Sequence, residues 1–228
     1  MNNKHCPILI VSATQFECEP TRRKIVDCKK ISSRLYSGTL YEHPVELLIT
    51  GIGSVATTFW LTQTLLQRSY YRAISIGIAG SFSDDINIGE TVQITEDCFA
   101  DLGIDDNGVF RTLREASLTC DKHDCDFISN PFPLPSSHQN VRGITVQTTS
   151  GSQQRIDTLE RRLKPKVETM ENAAFFFVCS MMQLPFATFR AISNRVEPRN
   201  RNKWRVEEAI ENVNECLLLE KVLFLEKL

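Results

Sequence analysis

Three side chains that can accept, donate or move a proton stand where a strand ends or a helix begins: Glu17, Glu171 and Asn194. Glu17 follows the first apolar run, PILIVSAT. Glu171 opens the stretch ENAAFFFVCSMM, and Asn194 follows FATFRAI. Carboxylates so placed can act as a general base or steady a developing cation, and an amide offers both an acceptor and a donor. Ligands of open α/β sheets gather at the carboxyl ends of strands, which is where these three lie. Two of them also have a plainer reading. Glu171 is an acid in a first helical turn, favoured there by the helix dipole, and Asn194 caps a loop. Gly51-Ile52-Gly53 forms a glycine turn between a strand and a helix, and its amides suit an anion or a hydroxyl. It lacks the third glycine of a dinucleotide fingerprint and also serves as a tight turn. Cys120 and Cys125 with His123 between them form the only metal-like cluster. No second ligand pair stands at a zinc spacing, so they read as thiols of a loop and no metal is expected.

The elements that must position these groups follow from hydrophobic patterning. Residues 7–14 read as a buried strand, and 17–28 as a polar helix. Residues 31–40 and 45–50 read as strands around a turn at 41–44. A helix over 55–67 follows the glycine turn, with Ser54 as its N-cap. Residues 72–79 form another buried strand that ends at Gly80-Ser81, and 90–95 alternate as a strand. Residues 98–139 lose all periodicity and read as a long loop excursion. Strand character returns over 141–149. A helix spans 152–162, and a second, almost wholly apolar one spans 171–182. A strand follows over 186–192. Val206, Ile210, Val213 and Leu217 recur at helical spacing near the end. Alternating strands and helices with two glycine turns predict an α/β fold, a mixed sheet with helices on both faces, within one domain of residues 1–228.

Composition narrows the function classes. Apolar residues at 42% and charged ones at 24% fit a globular domain with a sizeable core. A net charge of −2 provides no global field for nucleic acid or an anionic membrane. No apolar run approaches the ~20 residues of a membrane span, and the N-terminus lacks a signal-peptide pattern. Eight cysteines spread over 228 residues do not form a secreted disulfide framework. A cytoplasmic, unprocessed chain is expected.

The segment Val167-Glu-Thr-Met-Glu-Asn-Ala-Ala174, with Leu184-Pro-Phe and Arg190-Ala-Ile-Ser-Asn194, resembles the purine nucleoside phosphorylase/uridine phosphorylase superfamily, most closely its nucleosidase branch. Val11-Ser-Ala-Thr, Glu17, Gly51-Ile-Gly53 and Gly77-Ile-Ala-Gly80 keep that branch's order, so the resemblance covers nearly the whole chain. Phe99-Ala-Asp-Leu-Gly103, Thr149-Ser-Gly151 and Asn194-Arg-Val-Glu-Pro-Arg-Asn200 with Trp204 are similar to the futalosine hydrolase group. They are less similar to the methylthioadenosine/S-adenosylhomocysteine nucleosidases. The resemblance implies a three-layer αβα sandwich around a twisted mixed sheet. It also implies no cofactor, a homodimer or larger homo-oligomer, and a nucleoside substrate cleaved by water with release of the purine. It makes Glu17 the base that activates water, and Met170 and Glu171 the ribose grip. Ala79 and Gly80 become the turn beneath the sugar, and Asn194 the group facing the purine. The adenine-specific nucleosidases carry Asp where this chain has Asn194. An amide pairs with the N7–H and O6 of hypoxanthine, whereas a carboxylate suits the two donors of adenine. Arg195, Arg199 and Arg201, with Trp204, are expected at the benzoate of futalosine, with Arg199 and Arg201 as its ligands. A solvated basic loop is the plainer reading. Arg190, inside a strand, is expected to pair with a buried acid. The weaker alternatives are an adenine nucleosidase, a phosphorylase, and a catalytically silent binding module.

Overall fold

A computed structural model describes residues 6–118, 127–131 and 136–219. In chain order the elements are β1 (Ile8–Ser12), α1 (Gln15–Lys24), β2 (Val26–Lys30), β3 (Leu35–Leu40), β4 (His43–Ile49), α2 (Ser54–Gln67), β5 (Arg72–Ser81) and β6 (Thr91–Asp97). They continue with β7 (Gly103–Asp106), β8 (Val109–Thr112), β9 (Ile128–Ser129), β10 (Asn140–Thr145), α3 (Gln153–Leu163), β11 (Val167–Thr169), α4 (Asn172–Met181), β12 (Phe186–Arg195) and α5 (Val206–Leu219).

The strands β4, β1, β5 and β12 run parallel at the centre of a large mixed sheet. They are buried on both faces, and their residues sort by the period of two. Leu9 and Val11 join one core cluster with Leu61, Phe175, Phe176 and Phe186. Ile8 and Ile10 join the other with Ile74, Ile76, Phe189, Val213 and Leu217. Thus α2 and α4 pack on one face, and α1 and α5 on the other, giving the expected three layers. The Phe175 and Phe176 rings meet Phe186 edge-on at 5.7 and 4.8 Å, which fixes α4 on the sheet.

Among the described strands, β2 forms one open edge of the sheet and β9, paired with β6, lies off its main path. Beyond β12 the sheet continues through antiparallel β6 and then parallel β10 and β11. The three-residue strand β11 then pairs back onto β5, Val167 with Ser81 and Glu168 with Gly80. Five strands therefore close a ring at the end of the sheet that carries the site. The strand β11 was not anticipated, because three residues are too few to show a period.

Other boundaries also move. The helix expected over 17–28 ends at Lys24, and Val26–Lys30 forms an edge strand instead. The N-cap of α2 is Gly53 at φ +92°, with Ser54 the first helical residue. Glu171 is the N-cap of α4, not a member of its first turn. The strand β12 runs on to Arg195, with a register shift between Ile192 and Asn194, so Asn194 lies within it. The excursion over 98–139 contains a hairpin of β7 and β8 that turns on Asn107-Gly108, both at positive φ, and the short strand β9. Cys120, His123 and Cys125 lie outside the described residues.

Candidate active site

A cavity of about 490 Å³ opens where α1, α2 and α4 begin and where β5, β11 and β12 meet. Glu17, Ala79, Gly80, Met170, Glu171, Asn194 and Arg199 all line it. Residues as distant in sequence as Glu17 and Arg199 thus line one cavity. Arg201 does not line it. It is exposed and lies 6.0 Å from the Trp204 ring, whereas Arg199, on the same ring at 5.3 Å, faces the cavity.

Local folding holds Glu17. Thr14 is the N-cap of α1 and Glu17 its third residue, so the two form a capping box. Thr14 N–H and Oγ1 donate to Glu17 Oε2 at 3.1 and 2.8 Å. The pairing of β1 with β5 stops at Ser75, which frees the Ile78 amide to donate to Glu17 Oε1 at 3.2 Å. A Cβ on Gly77 would stand 2.8 Å from that oxygen, so glycine is required there for the carboxylate to reach the wall. The chain thereby holds an acid with fixed orientation against the cavity.

Two helix N-termini meet at Glu171. Its Oε1 accepts from Gly53 N–H at 2.8 Å, while Ser54 Oγ donates to the Met170 carbonyl at 3.2 Å. Gln147 Nε2 donates to Ser54 Oγ at 2.8 Å and ties in the segment after β10. The glycine turn thus receives a carboxylate of its own chain. Burial pushes the Glu171 pKa up, and the Gly53 bond opposes that. The Glu171 carboxylate, with about four accepting positions, keeps room for a ligand hydroxyl beside these backbone bonds.

At the far wall Ser193 Oγ donates to Asn194 Oδ1 at 2.8 Å and reaches Ala79 O at 3.2 Å. Asn194 Nδ2 donates to Arg195 O at 2.8 Å. One lone pair of Oδ1 and one hydrogen of Nδ2 remain for a ligand. A Cβ on Gly80 would lie 3.2 Å from Nδ2 and 2.9 Å from Val196 Cγ2.

Arg190 is buried behind this wall and does not line the cavity. Its guanidinium donates to Phe189 O and Ser75 Oγ at 2.9 and 3.0 Å, without a direct carboxylate contact among the described residues. The expected direct pairing with a buried acid is therefore replaced by a longer-range one. Burial lowers its pKa, and Glu171, Glu17 and Asp97 oppose that. Asp97, fully buried, accepts from Thr145 Oγ1 at 2.8 Å and Asn172 Nδ2 at 2.9 Å, and so braces the start of α4.

Several wall residues escaped the sequence reading. Ser193 and Thr14 flank residues that were identified. Glu168, on β11, is 6% exposed and lines the cavity, with Ser150 N–H and Oγ donating to its two oxygens at 2.9 and 2.5 Å. The signal for it was its place three residues before Glu171, but without β11 its direction could not be read. Among the described residues, no cluster of three His, Cys, Asp or Glu side chains could hold a metal, and no helix is long and apolar enough to cross a membrane.

Residues 7–223, nearly the whole of this sheet and site, match the family described as the Phosphorylase superfamily. The chain belongs to that superfamily. It is 28% identical to a futalosine hydrolase of Thermus thermophilus over 173 residues, 72% of this chain and 75% of the relative. It is 24% identical to a 5'-methylthioadenosine/S-adenosylhomocysteine nucleosidase of Haemophilus ducreyi over 199 residues, 81% of this chain and 83% of the relative. The native structure of futalosine hydrolase from Helicobacter pylori superposes with a TM-score of 0.77 at 17% identity, over 93% of this chain and 96% of that one. The nucleoside phosphorylase-like fold is thereby shown. The expectation of an enzyme of the nucleosidase kind is borne out, since these relatives of the superfamily member are N-glycosidic hydrolases.

Proposed function

We propose that this chain hydrolyses the N-glycosidic bond of futalosine, releasing hypoxanthine, as a step towards menaquinone. The observation that carries the reading is Asn194: an amide, with one acceptor and one donor position spare, lines the cavity together with Glu17 and Glu171. Hypoxanthine presents N7–H and O6 on one edge, and only an amide satisfies both. A mismatched buried pair would leave polar groups unsatisfied at ~1–3 kcal/mol each.

In this reading the Glu171 carboxylate accepts from a ribose hydroxyl, and Met170 packs on the sugar above Ala79-Gly80. Glu17 draws a proton from water as the water oxygen bonds to C1′. The C1′–N9 bond breaks with its electrons passing to the purine, which leaves as the N7–H base after taking a proton from solvent. Cleavage of C1′–N9 runs ahead of bonding to water, so the ribosyl cation that develops faces two carboxylates in a partly enclosed cavity. Arg199, backed by Trp204, takes the benzoate at the mouth. Arg201, outside the wall, serves as a second cation near it.

The chain works without a cofactor, as one catalytic domain in the cytoplasm. It assembles as a homo-oligomer, a reading supported by the exposed apolar side chains Phe16, Ile52, Val55 and Phe59 beside the cavity. Identity to the methylthioadenosine/S-adenosylhomocysteine nucleosidase supports a second reading, cleavage of 6-aminopurine nucleosides. Chromatography of free base released from futalosine, aminodeoxyfutalosine, methylthioadenosine and inosine, with and without phosphate, tests both. Futalosine turnover independent of phosphate is expected. Faster release of adenine than of hypoxanthine would replace the first reading with the second, and phosphate dependence would replace both with a phosphorylase.

A further inference from the structure

On the central strand β5, Gly80 has Asn194 of β12 on one side and Glu168 of β11 on the other. All three line the cavity. Neighbouring strands are ~4.8 Å apart, so the two side chains flank a bare backbone position from stations roughly 10 Å apart. A flat heterocycle lying over Gly80 would meet Asn194 along one part of its edge and Glu168 along another.

Glu168 has capacity to spare. Its bonds from Ser150 N–H and Oγ occupy one position on each oxygen. An ionised carboxylate has about four such positions and no donor. Its small residual exposure is to the cavity. The Ser150 bonds also fix its orientation, as a recognition group requires.

The purine atom that most sharply separates 6-oxo from 6-amino bases is N1. In hypoxanthine it carries a hydrogen and donates; in adenine it is a bare acceptor. A carboxylate attracts the first and repels the second. Asn194 reads N7 and position 6, and N1 lies next along the same edge.

We propose that Glu168 is a second purine-reading residue, accepting the N1–H of a 6-oxopurine across Gly80 from Asn194 and repelling the N1 lone pair of a 6-aminopurine. This rests on the purine-cleaving reading above and extends it to a residue outside that mechanism. It assigns selectivity to two side chains, one on each of the strands that pair with β5 at Gly80.

The test is competitive inhibition by free bases of the full-length wild type, Glu168→Gln and Ser150→Ala, with melting curves to verify folding. Hypoxanthine, 1-methylhypoxanthine and adenine are the probes. In the wild type, methylation of N1 should weaken binding at least tenfold. In Glu168→Gln that penalty should fall below threefold, because a neutral amide accepts N1–H less strongly. Adenine should bind this variant at least threefold better than the wild type, since the amide can donate to its N1. Ser150→Ala removes one tether but keeps the carboxylate, so the N1 penalty should persist. An equal penalty in the wild type and Glu168→Gln would mean a steric clash with the methyl group and overturn the proposal. Equal weakening of all three bases in both variants would make Glu168 only the tether of residue 150, with the same consequence. Failure of the futalosine reading shows separately, as wild-type enzyme that releases adenine and not hypoxanthine.

Discussion

Glu17 is the residue on which turnover rests in the proposed mechanism. Its orientation comes from the capping box with Thr14 and from the Ile78 amide; a glutamine keeps one acceptor oxygen for these donors and gives up the bond that its NH2 faces, a loss of about one hydrogen bond. Glu17→Gln should therefore fold and bind substrate with KM within about threefold, while kcat falls by ~10²–10⁴, the usual worth of a positioned base. Steady-state kinetics with a melting curve check this, and near-wild-type kcat would remove Glu17 from the mechanism. In the proposed reading Asn194 selects which base leaves. Asn194→Asp replaces an acceptor–donor pair by two acceptors, so the turnover ratio of aminofutalosine to futalosine should rise at least tenfold, about 1.4 kcal/mol. Paired assays across pH 5 to 8 measure it, and the preference should grow as the new carboxylate ionises. An unmoved ratio would deny Asn194 the role of purine reader.

At the scale of elements, the site is built from ends. The starts of α1, α2 and α4, the end of β5, and β11 and β12 supply its hydrogen-bonding groups. Each is held by side chains of its neighbours, such as the bond from Gly53 to Glu171. Glycine at position 77 lets α1 and β5 approach closely, with a Cβ standing 2.8 Å from Glu17 Oε1 and 3.5 Å from Arg190 Nε. Gly77→Ala should displace the Glu17 carboxylate, lowering kcat at least tenfold with a smaller change in KM. A crystal structure of the variant should show the bond from Ile78 N–H lengthened or lost. Unchanged kcat would mean that the carboxylate shifts without cost. Much of this level was readable beforehand. Glu17, Glu171 and Asn194 stand beside strong periodic runs, and the runs announce where elements end. Ser54 was misjudged as a cap because glycine at φ +92° takes that place, a backbone conformation that side-chain chemistry does not report.

Across the whole molecule, closure of the ring by β11 buries charge. Asp97 sits beneath α4, its pKa raised to about 7 by burial, against the pull of Asn172, Thr145 and Arg190. The sign follows from linkage. Between the ordinary value of 3.8 and about 7, the folded chain keeps a proton that the unfolded chain has lost. Rising pH through that window therefore favours unfolding by this group. Asp97→Asn cannot titrate, so the melting temperature of the wild type relative to the variant should fall as pH rises from 4 to 8. Parallel pH–melting curves would show instead that Asp97 titrates at the same pH in both states.

The sequence by itself determined the α/β class, the two-faced core and most strands and helices, because periodicity and glycine turns are local properties that survive without neighbours. It also determined the identity of Glu17, Glu171 and Asn194 as candidates, through residue type at element ends. Only the tertiary structure decided that they share one cavity, since the burial of separate strands and helices against one another brings them there. It alone placed Glu168 opposite Asn194, because a three-residue strand acquires direction only from the strands it pairs with. It also separated Arg199 from Arg201: both belong to one basic run, yet only the first faces the wall, as the fold of a loop depends on contacts that its own residues do not encode.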